Sequence, residues 1–251
     1  MSDAATLTID GATATITLNR PDARNAMSAD LLEGVAAALD TLERDGEDVT
    51  VVTLIGAGRA FCAGMDLKSV LNDPPSSEVL LSTLAEMTLR LRALPAVTIA
   101  SVNGAAIGGG CGLAMVCDIV LSHADAKLGF PEVDLGACPA VVAPWLVRRI
   151  GAGRARRVLL EGGVMSGERA HDLGLVDALA VDREGLAALT NETVQRIAVG
   201  GPQALRATKA LLNEIDGSLD EAMMRKAAAI SAEVFMGDEA QSRIRARFAD
   251  A

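Results

Sequence analysis

The chain has 251 residues, half of them hydrophobic, which at this length predicts one large domain or one domain with an appended helical part. Its formal net charge of −10 at pH 7 argues against a nucleic-acid binder, which would present an excess of Lys and Arg. Aromatic residues make up only 2% and Tyr is absent, which argues against stacking of bases or sugars.

In chain order, residues 6–9 and 13–18 alternate apolar and polar positions about Asp10 and Gly11, predicting a β-hairpin with both strands half buried. Residues 19–26 form a polar loop. Ser28 then caps a helix that carries Leu31, Val35, Leu39 and Leu42 at helical spacing and ends at Gly46. The β-branched run 49–55 reads as a strand covered on both faces. Residues 56–67 are a loop of small residues that exposes backbone, and 74–77 read as a mobile surface segment. Leu80, Leu84, Met87, Leu91 and Leu94 keep helical spacing until Pro95 stops the helix, and 97–102 is a strand.

Residues 102–112 hold the densest glycine turn of the chain, between that strand and an apolar helix starting near Gly110. Three uses of such a turn compete. Its glycines permit close packing of backbone on backbone. A dinucleotide fingerprint needs the order G-x-G-x-x-G, which is lacking. An oxyanion hole needs backbone N–H groups aimed at a ligand, and a helix beginning there supplies them.

Beyond it, 119–122 reads as a strand, 127–133 as an extended segment broken by Pro131, and 143–150, 154–161 and 166–173 as helices separated by glycines. Residues 176–179 are one more short strand. From Asp182 onward helix follows helix, with Pro202 in a first turn, Ser218 and Glu221 at capping-box spacing, and Asp238 capping the last. The Ala- and Met-rich faces of this tail either fold back on the core or bury against another subunit.

Cys62, Cys111, Cys117 and Cys138 match no zinc spacing and read as buried, reduced thiols. Residues 1–6 carry no basic or long apolar run, and no stretch reaches about 18 consecutive apolar residues, so neither a signal peptide nor a membrane span is expected. The expected location is the cytoplasm.

Five runs, LNRPDARNA (18–26), GRAFCAGMDL (58–67), VNGAAIGGGCGLAMVCDI (102–119), LGFPE (128–132) and AHDLGLVD (170–177), together resemble the enoyl-CoA hydratase/isomerase (crotonase) family in order and spacing over nearly the whole chain. The resemblance implies an α/β fold, a spiral of ββα units spanning 1–190, with a C-terminal helical region over 191–251 used in trimerisation. It also implies a homotrimer or hexamer acting on an acyl-CoA thioester. Coenzyme A enters as part of the substrate, with no other cofactor and no metal. By the same resemblance, the N–H groups of Met65 and Gly109 form the oxyanion hole. Ala63, Gly64, Asp66 and Leu67 line the adenine side of the substrate site, Gly110 adds to it, and Arg24 lies near the phosphates.

Family hydratases of the best-known type carry two glutamates; here the first position is Gly112 and the second Glu132. Beside Phe130, Pro131 and Val133, the ionised form of Glu132 is disfavoured, which raises its pKa and fits it to donate as well as accept a proton. One carboxyl permits hydration of a 2-enoyl thioester, movement of a double bond from the 3- to the 2-position, or decarboxylation. The run 131–151 resembles bacterial methylglutaconyl-CoA hydratase-like members, which favours a hydratase for a short or branched acyl group. Asp134 and Cys138 are near enough in sequence to reach the acyl pocket, although a turn carboxylate and a core thiol are the plainer readings. A hydrolase would pair Ser or Cys with His, but G-x-S-x-G is absent and His123 and His171 read as packing or surface residues. A non-catalytic acyl-CoA-binding protein is the remaining alternative.

Overall fold

The computed structural model describes residues 3–73 and 75–249. β1 (Ala5–Asp10) and β2 (Thr13–Leu18) pair antiparallel, Ala5 opposite Leu18, with Gly11 at φ 55° in the turn. The hairpin is as expected, but its burial is not. β2 buries Ala14, Ile16 and Leu18, whereas β1 is an edge strand on which only Ala5 is buried and Ile9 is 43% exposed.

From β2 the sheet continues parallel through β3 (Val51–Gly56), β5 (Val97–Val102), β7 (Ile119–His123) and β10 (Ala178–Ala180). Central parallel strands are covered on both faces, which is why residues 49–55 are an unbroken apolar run. On one face lies the main core with α1 (Ala29–Asp45) and α3 (Ser76–Ala93). On the other, Val51, Ile99, Leu121 and Ala180 meet Leu186 of α7 (Arg183–Ala198). Ser28 caps α1 as expected, its Oγ accepting the Leu31 N–H at 3.3 Å. The surface segment expected at 74–77 is corrected in part. Pro74 lies outside the described residues, but Ser76 and Ser77 open α3 and Ser77 is fully buried.

A second sheet takes β4 (Ala60–Cys62), β6 (Ala105–Ile107), β8 (Lys127–Gly129) and β9 (Val164–Ser166) in that order, parallel except for β9. β4, β6 and β9 are three residues each and sit within or beside glycine-rich stretches that read as loops, because a run so short displays no periodicity. The 56–67 loop also ends in a helix, α2 (Leu67–Asn72), capped by Asp66. After the central turn comes α4 (Gly109–Met115). The helices expected at 143–150 and 154–161 follow one another within α5 (Ala143–Glu161), divided as expected by a glycine, the non-helical Gly151 (φ 79°, ψ 155°), and α6 (Gly167–Leu173) follows.

α8 (Pro202–Ile215), α9 (Glu221–Met236) and α10 (Asp238–Ala249) complete the described chain. The capping box at 218–221 is corrected: Asp220 caps α9, accepting the Met223 N–H at 2.9 Å, while the buried Ser218 hydroxyl is engaged with Asn213 and Arg92. Asp238 is the first residue of α10 rather than its cap. α9 packs back along α3, and α10 buries Ala240 and Ile244 beside the turn at Gly136. Ion pairs from Lys209 to Asp118 (2.8 Å) and from Arg92 to Asp216 (3.0 Å) tie α8 and its end to the core. The 190/191 boundary between the two expected regions falls inside α7.

Candidate active site

Three parallel strands deliver the site. In register, Cys62 of β4 lies beside Ala106 of β6, and Ala106 and Ile107 lie beside Leu128 and Gly129 of β8. Strands that run the same way end at the same edge, so the residues following each, Ala63 to Met65, Gly108 and Gly109, and Pro131 and Glu132, emerge together. They line one cavity of about 120 Å³. Leu80, Leu81 and Leu84 of α3, Val141 and Val142 before α5, and Ser231 and Phe235 of α9 complete its walls.

Close backbone contact fixes the two N–H groups. Gly64 has φ 87°, and a Cβ there would stand 2.7 Å from the Ile107 carbonyl oxygen, so only glycine lets the two strand ends approach. Met27 donates to the Gly64 carbonyl at 2.7 Å and accepts from the Asp66 N–H at 2.9 Å. The Met65 N–H between them donates to no other described residue. Gly109 opens α4, so its N–H belongs to the first turn and has no intrahelical acceptor.

Two buried asparagines hold the start of β4 and the loop that leads into it. Asn25, at φ 56°, donates to the Ala57 and Ala60 carbonyls (3.0 and 2.8 Å) and accepts the Arg20 N–H (2.8 Å). Asn103 donates to the Gly56 and Gly58 carbonyls (2.7 and 3.1 Å) and accepts the Gly56 N–H (3.2 Å). The LNRPDARNA run thus works mostly through Asn25 and Arg20, whose guanidinium pairs with Asp66 at 3.2 Å.

Glu132 is the one charged residue that lines the cavity among the described residues. The residue as a whole is partly exposed, but its Oε2 is sealed from solvent and has no hydrogen-bond partner among the described residues. Burial pushes its pKa up from 4.5 to about 7, against the favourable effect of its own backbone N–H, and Asp134 adds to the rise. A carboxyl with a pKa near neutrality is chemically suited both to take and to return a proton.

The remaining sequence candidates are distributed as follows. Ala63, Gly64, Met65, Leu67 and Gly109 line the cavity. Asp66 is spent on Arg20 and on capping α2. Gly110 does not line the cavity: a Cβ there would be 2.3 Å from the Cys62 carbonyl oxygen, so it is a packing glycine against β4. Arg24 has an exposed side chain and meets the site through its carbonyl, which accepts the Ala63 N–H at 3.0 Å. Asp134 turns away to accept the Gly163 N–H at 2.9 Å, whereas Cys138 lines the cavity half buried. All four cysteines are free thiols, and burial pushes Cys62 and Cys117 up to about 12. His171 is exposed and His123 is buried, and neither lines the cavity. No cluster that could hold a metal occurs among the described residues.

At the place of the missing glutamate, a Cβ on Gly112 would lie 2.2 Å from Val142 Cγ1. Ser231 and Phe235 carry no sequence signal, since small and apolar residues about 120 positions away look like ordinary core, and within the 131–151 run nothing singles out Val142 as a site residue. The asparagines were hidden in loops where Asn is common.

Residues 8–246 match the family model described as enoyl-CoA hydratase/isomerase. A Thermus thermophilus protein provisionally named an enoyl-CoA hydratase is 36% identical over 242 residues, 95% of each chain. The structure superposes on an enoyl-CoA hydratase/isomerase from Mycobacterium paratuberculosis with a TM-score of 0.87 and 30% identity, covering 98% of this chain and 99% of that one. AtuE of Pseudomonas aeruginosa is 37% identical with a TM-score of 0.80, over 94% and 93% of the two chains. With three strand ends converging on paired N–H groups and one carboxyl, and with these likenesses spanning nearly its whole length, the chain belongs to the enoyl-CoA hydratase/isomerase, or crotonase, family.

Proposed function

We propose that the protein hydrates a 2-enoyl-CoA thioester with a short or branched acyl chain, using Glu132 as its single acid and base. The observation that carries the reading is the raised-pKa carboxyl of Glu132, its Oε2 without a partner, in a cavity with the Met65 and Gly109 N–H groups. The thioester oxygen accepts from both N–H groups. Ionised Glu132 takes a proton from water as the water oxygen bonds to the β carbon, and the π electrons move onto the thioester oxygen as an enolate. Each such donor typically contributes about 2.7–4 kcal/mol to the transition state. Glu132 then returns its proton to the α carbon, the enolate collapses, and one water has been added.

Ala63, Gly64 and Leu67 contact the coenzyme A portion, Arg24 meets its phosphates, and Asp66 and Gly110 act by positioning. The exposed apolar side chains Leu211, Leu212 and Ile215 of α8 and Val234 and Met236 of α9 support assembly as a homotrimer or a pair of trimers. Light scattering of the purified chain tests this.

One observation favours a second reading. Val142 fills the space of a second acid, which leaves one carboxyl near the substrate, and one carboxyl suffices to carry a proton between two carbons of a 3-enoyl thioester. Mass spectrometry of 2-enoyl-, 3-enoyl- and methylglutaconyl-CoA incubated in deuterated water, beside Glu132→Gln, separates the two. Gain of one water by a 2-enoyl thioester, lost in the variant, supports hydration. Conversion of 3-enoyl to 2-enoyl thioesters without added water makes the protein an isomerase. Binding of every thioester with no turnover makes it an acyl-CoA-binding protein.

A further inference from the structure

Gly108, the non-helical residue before α4, and Gly112 within α4 are joined by the hydrogen bond from the Gly112 N–H to the Gly108 carbonyl at 2.9 Å. Each supports a different group. Over Gly108 stands the Glu132 carboxyl, 2.9 Å from where a Cβ would be; over Gly112 stands Val142, with Cγ1 at 2.2 Å and Cβ at 2.8 Å from such an atom. The proton-carrying group and an isopropyl wall therefore stand over the start of the same helix and line the same cavity. Gly109, whose N–H faces the thioester oxygen in the proposed reaction, is at the start of the same helix. In the proposed reaction Glu132 serves the α and β carbons, which leaves Val142, on the same cavity wall, to face the chain beyond them. Val142 lines the cavity and is 4% exposed, and no Lys, Arg or His lines the cavity among the described residues.

We infer that Val142 is the specificity-determining residue of the acyl pocket, its methyl groups limiting the chain beyond the β carbon to a short, uncharged group. This rests on reading the cavity as the site of an acyl-CoA thioester. A carboxylate at the far end of the acyl chain would be desolvated against Val142 with no cation to pair with, a cost that a neutral chain does not meet. Chain length is limited by volume: in a filled apolar pocket one methylene changes discrimination by roughly 10–200-fold.

The test reads binding apart from turnover. Calorimetry gives the affinities of butanoyl-, 3-methylbutanoyl-, hexanoyl- and glutaryl-CoA, all saturated and inert, for the wild type, Val142→Ala and Val142→Ile. The ratio of hexanoyl to butanoyl affinity should rise about tenfold in Val142→Ala and fall in Val142→Ile. Glutaryl-CoA should bind the wild type most weakly of the four. Opposite shifts from the two variants are not produced by a loosened fold, which would weaken all ligands together. An unchanged ratio in both variants, a shift of the same sign in both, or glutaryl-CoA binding the wild type as tightly as butanoyl-CoA overturns the inference. Failure of all four to bind the wild type overturns the acyl-thioester reading and this inference with it. A shifted ratio in a protein that hydrates nothing leaves Val142 as the selector and overturns only the hydratase.

Discussion

Gly108 and Glu132 meet through the absence of a side chain: a Cβ on Gly108 would stand 2.9 Å from Glu132 Oε1. The glycine is therefore the seat of the carboxyl, and its φ of 55° and ψ of −125° are a conformation that L side chains rarely adopt. Gly108→Ala should cost on the order of 1–3 kcal/mol of stability from backbone strain. The displaced carboxyl should lower kcat by about 100-fold, the scale of a misplacement near 1 Å. Urea unfolding and steady-state kinetics check both, and unchanged kcat would show that the carboxyl position is unimportant.

Glu132 makes stability and activity respond to pH in opposite directions. Its pKa in the folded chain is about 7, against an ordinary 4.5. Between those values the unfolded chain has released the proton and the folded chain retains it, so stability falls as pH rises from about 4.5 to about 7 and is level above. The loss is on the order of 3 kcal/mol. Glu132→Gln removes this slope, so it should be more stable than the wild type at pH 8 while the two differ far less at pH 4.5. Its kcat should fall by about 10²–10⁴, the usual worth of a general acid–base group. In the wild type kcat/KM should rise with pH through about 7, because the reaction begins with the ionised carboxyl. Denaturant melts at the two pH values and a pH–rate profile decide the matter.

Asn25 sits at φ 56° with its amide shared among three backbone groups of two segments. Replacement by Ala leaves the Ala60 carbonyl without this partner in a buried place, at about 1–3 kcal/mol, and the part-buried Arg20 N–H at a smaller cost. Because the same bonds fix β4, and β4 leads to Gly64 and Met65, Asn25→Ala should lower kcat/KM as well as the melting temperature. Loss of stability with full activity in the surviving folded protein would mean that β4 is held adequately through the 56–58 turn that Asn103 bonds.

How much of this could be read beforehand depended on length and chemistry. The Ser28 cap with its Leu31, Val35, Leu39 and Leu42 stripe, and the β-branched strand β5, are local signals strong enough to stand alone. The resemblance of the glycine runs placed Met65, Gly109 and Glu132, and the fold brings all three to one cavity. The short strands β4 and β6 that align them were invisible, because three residues between glycines have no period to read. Ser218 illustrates a local signal overridden by packing: its capping spacing to Glu221 was sound, but Asn213 and Arg92 occupy its hydroxyl and Asp220 caps instead. Val142 is 30 residues from Gly112 in sequence, and only the folded chain places one against the other.

That contact yields a prediction about paired substitutions. Gly112→Ala introduces a Cβ 2.2 Å from Val142 Cγ1 and 2.8 Å from its Cβ, closer than atoms pack, so it should destabilise by about 1–3 kcal/mol through overpacking. Val142→Ala does not relieve the clash, since its Cβ remains. Val142→Gly does, leaving the residue-142 Cα at 3.6 Å as the nearest atom on that residue, an ordinary contact distance. Val142→Gly alone opens a cavity and is destabilising in its own right. The double variant Gly112→Ala with Val142→Gly should therefore be more stable than the sum of the two losses predicts, by at least about 1 kcal/mol. The cycle is measured by equilibrium unfolding of the four proteins in urea. Additive losses would mean that the segment before α5 moves away from α4 at no cost, and with it the wall that Val142 builds beside Glu132.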